Sequence, residues 1–244
     1  MASKQPKLIL RESCVNDLSR DWAPASFLEL GAGTGYMTRK FLERGFHGAC
    51  YDLGEESREH IRRNLSAYGT GMRVVDDLNE LPAEAFDYLF AFEVLEHIED
   101  DLAALREWTG HLRPGGQILL TVPAHARKYG KSDEVVGHVR RYERSQLIAL
   151  LTAAGYGDIR LVNYGFPLTE ATRMISNRLI ANEKQHLNLS PVERSTRSSF
   201  TKPQRIRALL SHCDEALFSP FKVAQRWFYQ RDWGDGLAAT AVLR

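Results

Sequence analysis

The chain has 244 residues, 32 Lys+Arg against 31 Asp+Glu and a formal net charge of +1, so no global field draws it to nucleic acid. Its composition, 43% hydrophobic and 26% charged, is ordinary for a globular protein long enough to bury a full core without metal or disulfide staples. Cys14, Cys50 and Cys213 are scattered, with no CxxC pair and no metal-ligand spacing, which argues against a zinc site or a disulfide framework and reads as reduced thiols in a cytosolic protein.

The N-terminal stretch MASKQPKLILRES holds an apolar run too short for a signal-peptide core, and no run approaches the roughly 20 apolar residues of a membrane span. The expectation is a soluble, cytoplasmic protein without a metal site. The first predicted strand, 27–30, runs into Gly31-Ala32-Gly33-Thr34-Gly35, and a predicted helix follows at 37–44. Glycines at such a turn let the backbone fold tightly and approach a ligand. The spacing is GxGxG rather than the dinucleotide GxGxxG. Glu29, just before the turn, suits a cationic ligand better than a pyrophosphate.

The second predicted strand, 48–52, ends on Asp52, about 20 residues past the glycine turn, where a carboxylate can accept ribose hydroxyls. A helix is predicted at 56–68 and a strand at 72–75. There Asp77 can receive an adenine amino group and Leu78 can pack on the ring. Strand 88–92 leads to Phe92 and Glu93, and helix 100–112 is read as ending before Pro114-Gly115-Gly116, which opens strand 117–122. Helix 144–154 ends at Gly155, as a C-cap glycine would have it. Strands at 159–162 and 236–243 close the pattern. The alternation is the βαβ rhythm of a parallel sheet covered by helices.

Residues 166–233 break that rhythm. The sequence predicts helices at 169–182, 203–216 and 221–229, separated by a polar stretch at 188–202. A connection this long inside a compact sheet is read as a lid over the substrate site. Its basic surplus, Arg173, Arg178, Lys184 and Arg194 among it, leaves room for an anionic substrate.

Taken together, these segments resemble class I S-adenosylmethionine-dependent methyltransferases. Glu29-Leu30-Gly31-Ala32-Gly33-Thr34-Gly35 looks like the family's first motif, and Asp52 matches the acidic residue after its second strand. Asp77-Leu78-Asn79-Glu80-Leu81-Pro82 is similar to its adenine segment. The run from Phe86 to His97 resembles its fourth strand, and Leu112-Arg113-Pro114-Gly115-Gly116 its turn before the fifth. The resemblance implies one domain over 1–244, a seven-stranded, mostly parallel Rossmann-like α/β sheet with an antiparallel last strand, and a helical insertion at 166–233. It implies S-adenosylmethionine as cofactor and S-adenosylhomocysteine as product. Gly31, Gly33 and Gly35 would cradle the cofactor, and Glu29 would orient its amino group. Asp52 would hold the ribose, Asp77 and Leu78 the adenine, and Phe92 and Glu93 would border the reaction centre.

A narrower resemblance follows strand five. Val122-Pro123-Ala124-His125, then Asp133-Glu134 and Gly137-His138-Val139-Arg140-Arg141-Tyr142, are similar to a bacterial subset with a GHxRRY motif. His138 is the candidate general base. His125, Arg140, Arg141 and Tyr142 are candidates for binding substrate, with the two arginines gripping an anionic group or pairing with Asp133 and Glu134. Glu96 and His97 are read as local structure at a helix start. The functional expectation is methylation of a small-molecule O or N acceptor, with RNA or protein as the alternative acceptor. The acceptor and the oligomeric state do not follow from the sequence.

Overall fold

A computed structural model describes residues 6–170, residue 173 and residues 215–244. The first element is a helix the sequence reading passed over, α1 (Pro6–Leu18), which buries Ile9, Leu10, Cys14, Val15 and Leu18. Those residues recur at helical spacing between Lys7, Arg11 and Glu12, and Pro6 occupies the first turn, where a missing N–H costs nothing.

Seven strands follow: β1 (Ser26–Leu30), β2 (His47–Tyr51), β3 (Met72–Val74), β4 (Phe86–Phe92), β5 (Leu112–Pro123), β6 (Tyr156–Tyr164) and β7 (Gly236–Leu243). They form one sheet in the order β3-β2-β1-β4-β5-β7-β6. Pairings among β1 to β5 are parallel, and β7 lies antiparallel between β5 and β6. The sheet is the one the sequence implied, including its antiparallel last strand.

Both faces of the sheet are buried, as the period-two alternation requires. Leu28, Leu30, Leu89 and Ala91 join one core with Leu105, Trp108 and Leu147. Phe27, Tyr88, Phe90 and Phe92 point the other way, into a core closed by Cys14 and Val15 of α1 and by Phe41. That second face is an aromatic stack, with Phe41 and Phe90 centroids 4.1 Å apart and Trp22 4.7 Å from Tyr88.

The connecting helices are α2 (Tyr36–Leu42), α3 (Glu55–Asn64), α4 (Asp101–Thr109), α5 (Lys131–Val136) and α6 (Arg144–Ala153). Asp100 caps α4 by accepting the Ala103 N–H at 3.0 Å. That helix ends at Thr109, earlier than predicted, and Pro114-Gly115-Gly116 lies inside β5. There the pairing jumps from Phe86↔Leu112 to Tyr88↔Gln117, so the glycines accommodate a bulge rather than start the strand. A last helix, α7 (Ser219–Ala224), with the 3-10 turn Gln225–Phe228, occupies the region predicted as helix 221–229. Gln225, fully buried, ties α7 to the rest: its amide donates to the Leu10 carbonyl at 3.0 Å and accepts the Gly165 N–H at 3.1 Å. The predicted helix at 203–216 and the polar stretch at 188–202 lie almost wholly outside the described residues, as does most of 169–182. Among the described residues no helix is long and apolar enough to cross a membrane.

Candidate active site

The sheet order reverses between β1 and β4, whose chain neighbours depart in opposite directions. In an open α/β sheet the crevice outside the carboxyl ends of such a strand pair is where ligands bind. The turn after β1 and the turn after β4 both face it.

After β1, Gly31, Gly33 and Gly35 adopt φ of +65°, +59° and +72°, the left-handed region that side chains disfavour. A Cβ at Gly31 would also lie 2.6 Å from Val94 Cγ2, so the turn after β1 is pressed against the turn after β4. Asp52 braces this turn: one carboxylate oxygen accepts the Gly33 N–H at 2.8 Å and the other the Gly54 N–H at 3.2 Å. Glu29 is buried beneath the turn and accepts the Thr38 hydroxyl at 2.7 Å. Burial outweighs that hydrogen bond and the Arg11 charge, and pushes its carboxyl up to about 8. Asp77 caps its own 3-10 turn, accepting the Asn79 N–H at 2.9 Å while Glu80 reaches back to the Asp77 N–H. Leu78 is buried in the sheet core.

After β4 the side chains are charged and enclosed. Glu93 has φ of +60°, a strained value for a residue with a side chain, of the kind that clusters at functional sites. Its carboxylate accepts from Lys7 Nζ at 2.5 Å and from the Tyr164 hydroxyl at 3.0 Å. Burial alone would raise this carboxyl, but Lys7 and Arg11 outweigh it and hold Glu93 down at about 2. The Nε of Arg11 is buried with no hydrogen-bond partner. Phe92 points to the aromatic face, parallel to Phe41 at 6.3 Å.

Beyond Glu93 the chain makes a 3-10 turn, Leu95–His97. Glu96 is fully buried, and burial together with the Glu93 charge holds its carboxyl well above the usual range. His97 places Nδ1 3.1 Å from the Gly137 carbonyl, and its ring packs edge-on against His138 with centroids 4.8 Å apart. Burial, then the His138 charge, lowers His97 to about 4. His138 places Nδ1 2.8 Å from Asp133, and Asp133 also accepts from Arg141 at 2.9 Å. One short segment thus meets another about forty residues later, a juxtaposition that spacing along the sequence does not display.

The other sequence candidates fall in different places. Arg141 is buried and bonds Asp133, the Ala124 carbonyl and, at 2.8 Å, Asp235. Of the alternatives for the two arginines, Arg141 takes the carboxylate pairing, and with Asp133. Arg140 pairs with Asp101 at 2.8 Å, not with Asp133 or Glu134, and the buried Tyr142 donates to the same Asp101 at 2.7 Å. These two are anchored to α4 rather than gathered with Glu93. His125, with φ of +65°, sits 3.4 Å from Glu143, its Nε2 buried without a partner. A broad, open hollow of about 790 Å³ lies between Asp101, Tyr129, Arg140, Gln146 and Ala153. None of the residues after β1, β2 or β4 that form the crevice lines it, so it is not the site described above. The residues missed by the sequence reading are Lys7, Arg11 and Tyr164, which reach the crevice from α1 and from the end of β6. Only the helical spacing of α1 carried a signal for the first two.

Comparison with known proteins agrees with this architecture. Residues 7–161 match the model of a methyltransferase domain family. The chain is 26% identical over 153 residues to a ubiquinone biosynthesis O-methyltransferase of Idiomarina loihiensis, covering 55% of this chain and 62% of the relative. It is 34% identical over 103 residues to the protein of the same name from Paramagnetospirillum magneticum, covering 41% of each. The chain therefore spans less than two thirds of these curated relatives. Among solved structures, an S-adenosylmethionine dependent methyltransferase from Mesorhizobium loti aligns with a TM-score of 0.58 at 18% identity, over 94% of this chain and 95% of that one. Phosphoethanolamine N-methyltransferase 2 of Haemonchus contortus, in complex with S-adenosyl-L-methionine, aligns at 0.60 and 18%, over 96% of this chain and 52% of that one.

Proposed function

The chain belongs to the methyltransferase domain family whose model spans its residues 7–161, and from that premise we propose that it uses S-adenosylmethionine to methylate a hydroxyl oxygen of a small molecule. The observation that carries this reading is the pairing, across the β1/β4 crevice, of a glycine turn with a buried carboxylate–histidine cluster.

The donor side fits the cofactor. The turn is open backbone where a side chain at Gly31 would collide with Val94. Glu29, a buried carboxyl held near neutral form, gains most from a cationic neighbour, and an ammonium or sulfonium is one. Asp52 would hold the ribose hydroxyls, and Asp77 the adenine edge. S-adenosylmethionine, when bound, supplies a methyl group on a sulfonium that needs no further activation.

On the acceptor side, Lys7, ion-paired with Glu93, and Arg11 set cations beside the turn after β4, which would suit an anionic acceptor. The Asp133–His138 contact orients the imidazole with Nε2 turned to Glu96 at 3.6 Å, and on this reading an acceptor hydroxyl reaching that edge would give its proton to the ring. A hydroxyl needs that help; a neutral amine does not. The names of the curated relatives support oxygen as the acceptor atom. Residues 166–233 would cover this side. Their first turn is fastened to the loop after β5 by Glu170, 2.5 Å from Lys128, and lies by the residue before β7, with Arg173 Nε 3.5 Å from Asp235.

Calorimetry with S-adenosylhomocysteine tests the donor side. Wild type should bind, and Asp52→Ala should bind about 10- to 100-fold more weakly because the ribose hydroxyls lose their partner. Equal affinity of the two proteins would remove Asp52 from the site, and absence of wild-type binding would overturn the reading.

A further inference from the structure

Glu96 is completely buried, and neither of its carboxylate oxygens has a hydrogen-bond partner. A buried carboxylate in that condition is costly unless something satisfies it. Lys7 does not: its ammonium pairs with Glu93 at 2.5 Å. What faces Glu96 is imidazole. His138 is fixed by its Nδ1 contact to Asp133 at 2.8 Å, and His97 by its Nδ1 contact to the Gly137 carbonyl at 3.1 Å. An acceptor at Nδ1 keeps the ring proton there, so each ring offers an Nε2 lone pair on its other side.

His138 Nε2 then faces Glu96 Oε1 at 3.6 Å. That gap is too long for a hydrogen bond. With Glu96 ionised, lone pairs would face each other on both atoms, and either a proton on the raised Glu96 carboxyl or a metal cation between them relieves that. The donor atoms of Glu96, His97 and His138 all lie within 4.8 Å of one another. Two donors about 2.1 Å from one tetrahedral ion stand about 3.4 Å apart, close to the 3.6 Å between Glu96 and His138, and donors as far apart as 4.8 Å would close in by a side-chain rotation to share the ion.

We propose that Glu96, His97 and His138 form a binding site for a divalent first-row transition-metal cation. Two imidazoles and one carboxylate suit Mn²⁺, Fe²⁺, Co²⁺ or Zn²⁺ better than the all-oxygen sets of Ca²⁺ and Mg²⁺. Three protein ligands leave coordination positions open, as catalytic rather than structural sites do. The hydrogen bonds behind the ligands are those that orient metal-bound imidazoles: Asp133 behind His138, the Gly137 carbonyl behind His97, and Arg141 holding Asp133 at 2.9 Å. The site stands on these contacts and does not require the methyl-transfer reading. Where both hold, His138 would serve as a ligand to the cation rather than as the acceptor's base, and the cation would supply the acidity that an acceptor hydroxyl needs.

The full chain, stripped with chelator, is titrated with Co²⁺ and followed by its visible d–d absorption, and with Mn²⁺ followed by electron paramagnetic resonance. The expected result is saturable binding of one Co²⁺ with a spectrum of nitrogen and oxygen ligation. Glu96→Gln and His97→Asn should weaken it at least 10-fold, and Asp133→Asn by about 10- to 100-fold. Thermal melting and S-adenosylhomocysteine affinity are measured on every protein, to separate lost ligation from lost fold. Absence of a Co²⁺ spectrum in folded wild type overturns the site, as does binding that all three variants retain. Wild type that binds Co²⁺ but not S-adenosylhomocysteine would uphold the site while overturning the cofactor reading, so the two fail separately.

Discussion

The two walls of the crevice at the β1/β4 switch are built by opposite means. The β1 wall is backbone: three left-handed glycines, braced by Asp52, with Asp77 satisfied by its own turn. Its polar groups are almost all paired within about 30 residues of sequence. The β4 wall is side chain: Glu93, Glu96, His97, His138, Lys7 and Arg11, contributed by segments far apart and in part unsatisfied. The first wall is a backbone turn, and the second a charged, enclosed cluster of side chains. The contrast separates a wall assembled from local backbone from one assembled by tertiary contacts between distant segments.

The largest effect is expected where the β4 wall depends on one buried cation. Arg141→Met takes the guanidinium from between two buried carboxylates, leaving Asp133 to His138 and Asp235 to Arg173 at 3.5 Å, and breaking such a buried pair costs about 3–5 kcal/mol. Denaturant unfolding should show that loss. If the residual folded protein keeps its S-adenosylhomocysteine affinity, the two walls are independent, and if it loses it the contrast breaks down.

How much of each wall was legible in the sequence follows from the same difference. The first wall lies within contiguous motifs, so the position of Glu29, the glycines, Asp52 and Asp77 at strand ends could be read from spacing, and every strand but β5 came within three residues of its bounds. The second wall is a tertiary product. His138 was singled out, but its companions Glu96 and His97 were read as local structure, because nothing along the chain shows that residue 137 lies over residue 97. Lys7 and Arg11 escaped because α1 was read as a short apolar run, and Tyr164 because it closes a strand predicted to end two residues earlier. Arg140 and Tyr142, which a motif reading sent to the substrate, are instead fastened to Asp101, a partner that only folding supplies.

A second prediction sharpens the contrast through pH. Glu29 titrates at about 8 in the folded chain against an ordinary 4.5. Between those values the folded state holds a proton the unfolded state has released, so this group's contribution is full below about 4.5 and is lost as pH rises through about 8. Relative to Glu29→Gln, wild type should lose about 1.4 kcal/mol per pH unit across the middle of that window. Urea unfolding of both proteins at several pH values measures it. Parallel stability curves would mean that Glu29 is ionised and already compensated in the free protein.

The smallest effect belongs to the edge of the first wall. Asp77→Ala removes the cap of its 3-10 turn and should cost about 1 kcal/mol of stability, with a modest loss of S-adenosylhomocysteine affinity by calorimetry. A large affinity loss without a stability change would make Asp77 a direct ligand contact rather than a brace for the turn.

The placing of β7 bears on how the chain reaches this state. Strands β5 and β6 never pair with each other; each pairs only with β7, which follows β6 after the long connection 165–235. Until β7 inserts, two strand edges stand bare, and Arg141 lacks the Asp235 that precedes β7. Closing so long a loop is entropically slow, and bare edges invite pairing with other chains. The half of the sheet nearest β6 should therefore assemble late, and newly made or heat-stressed molecules should aggregate through it while the β1–β4 half is already in register.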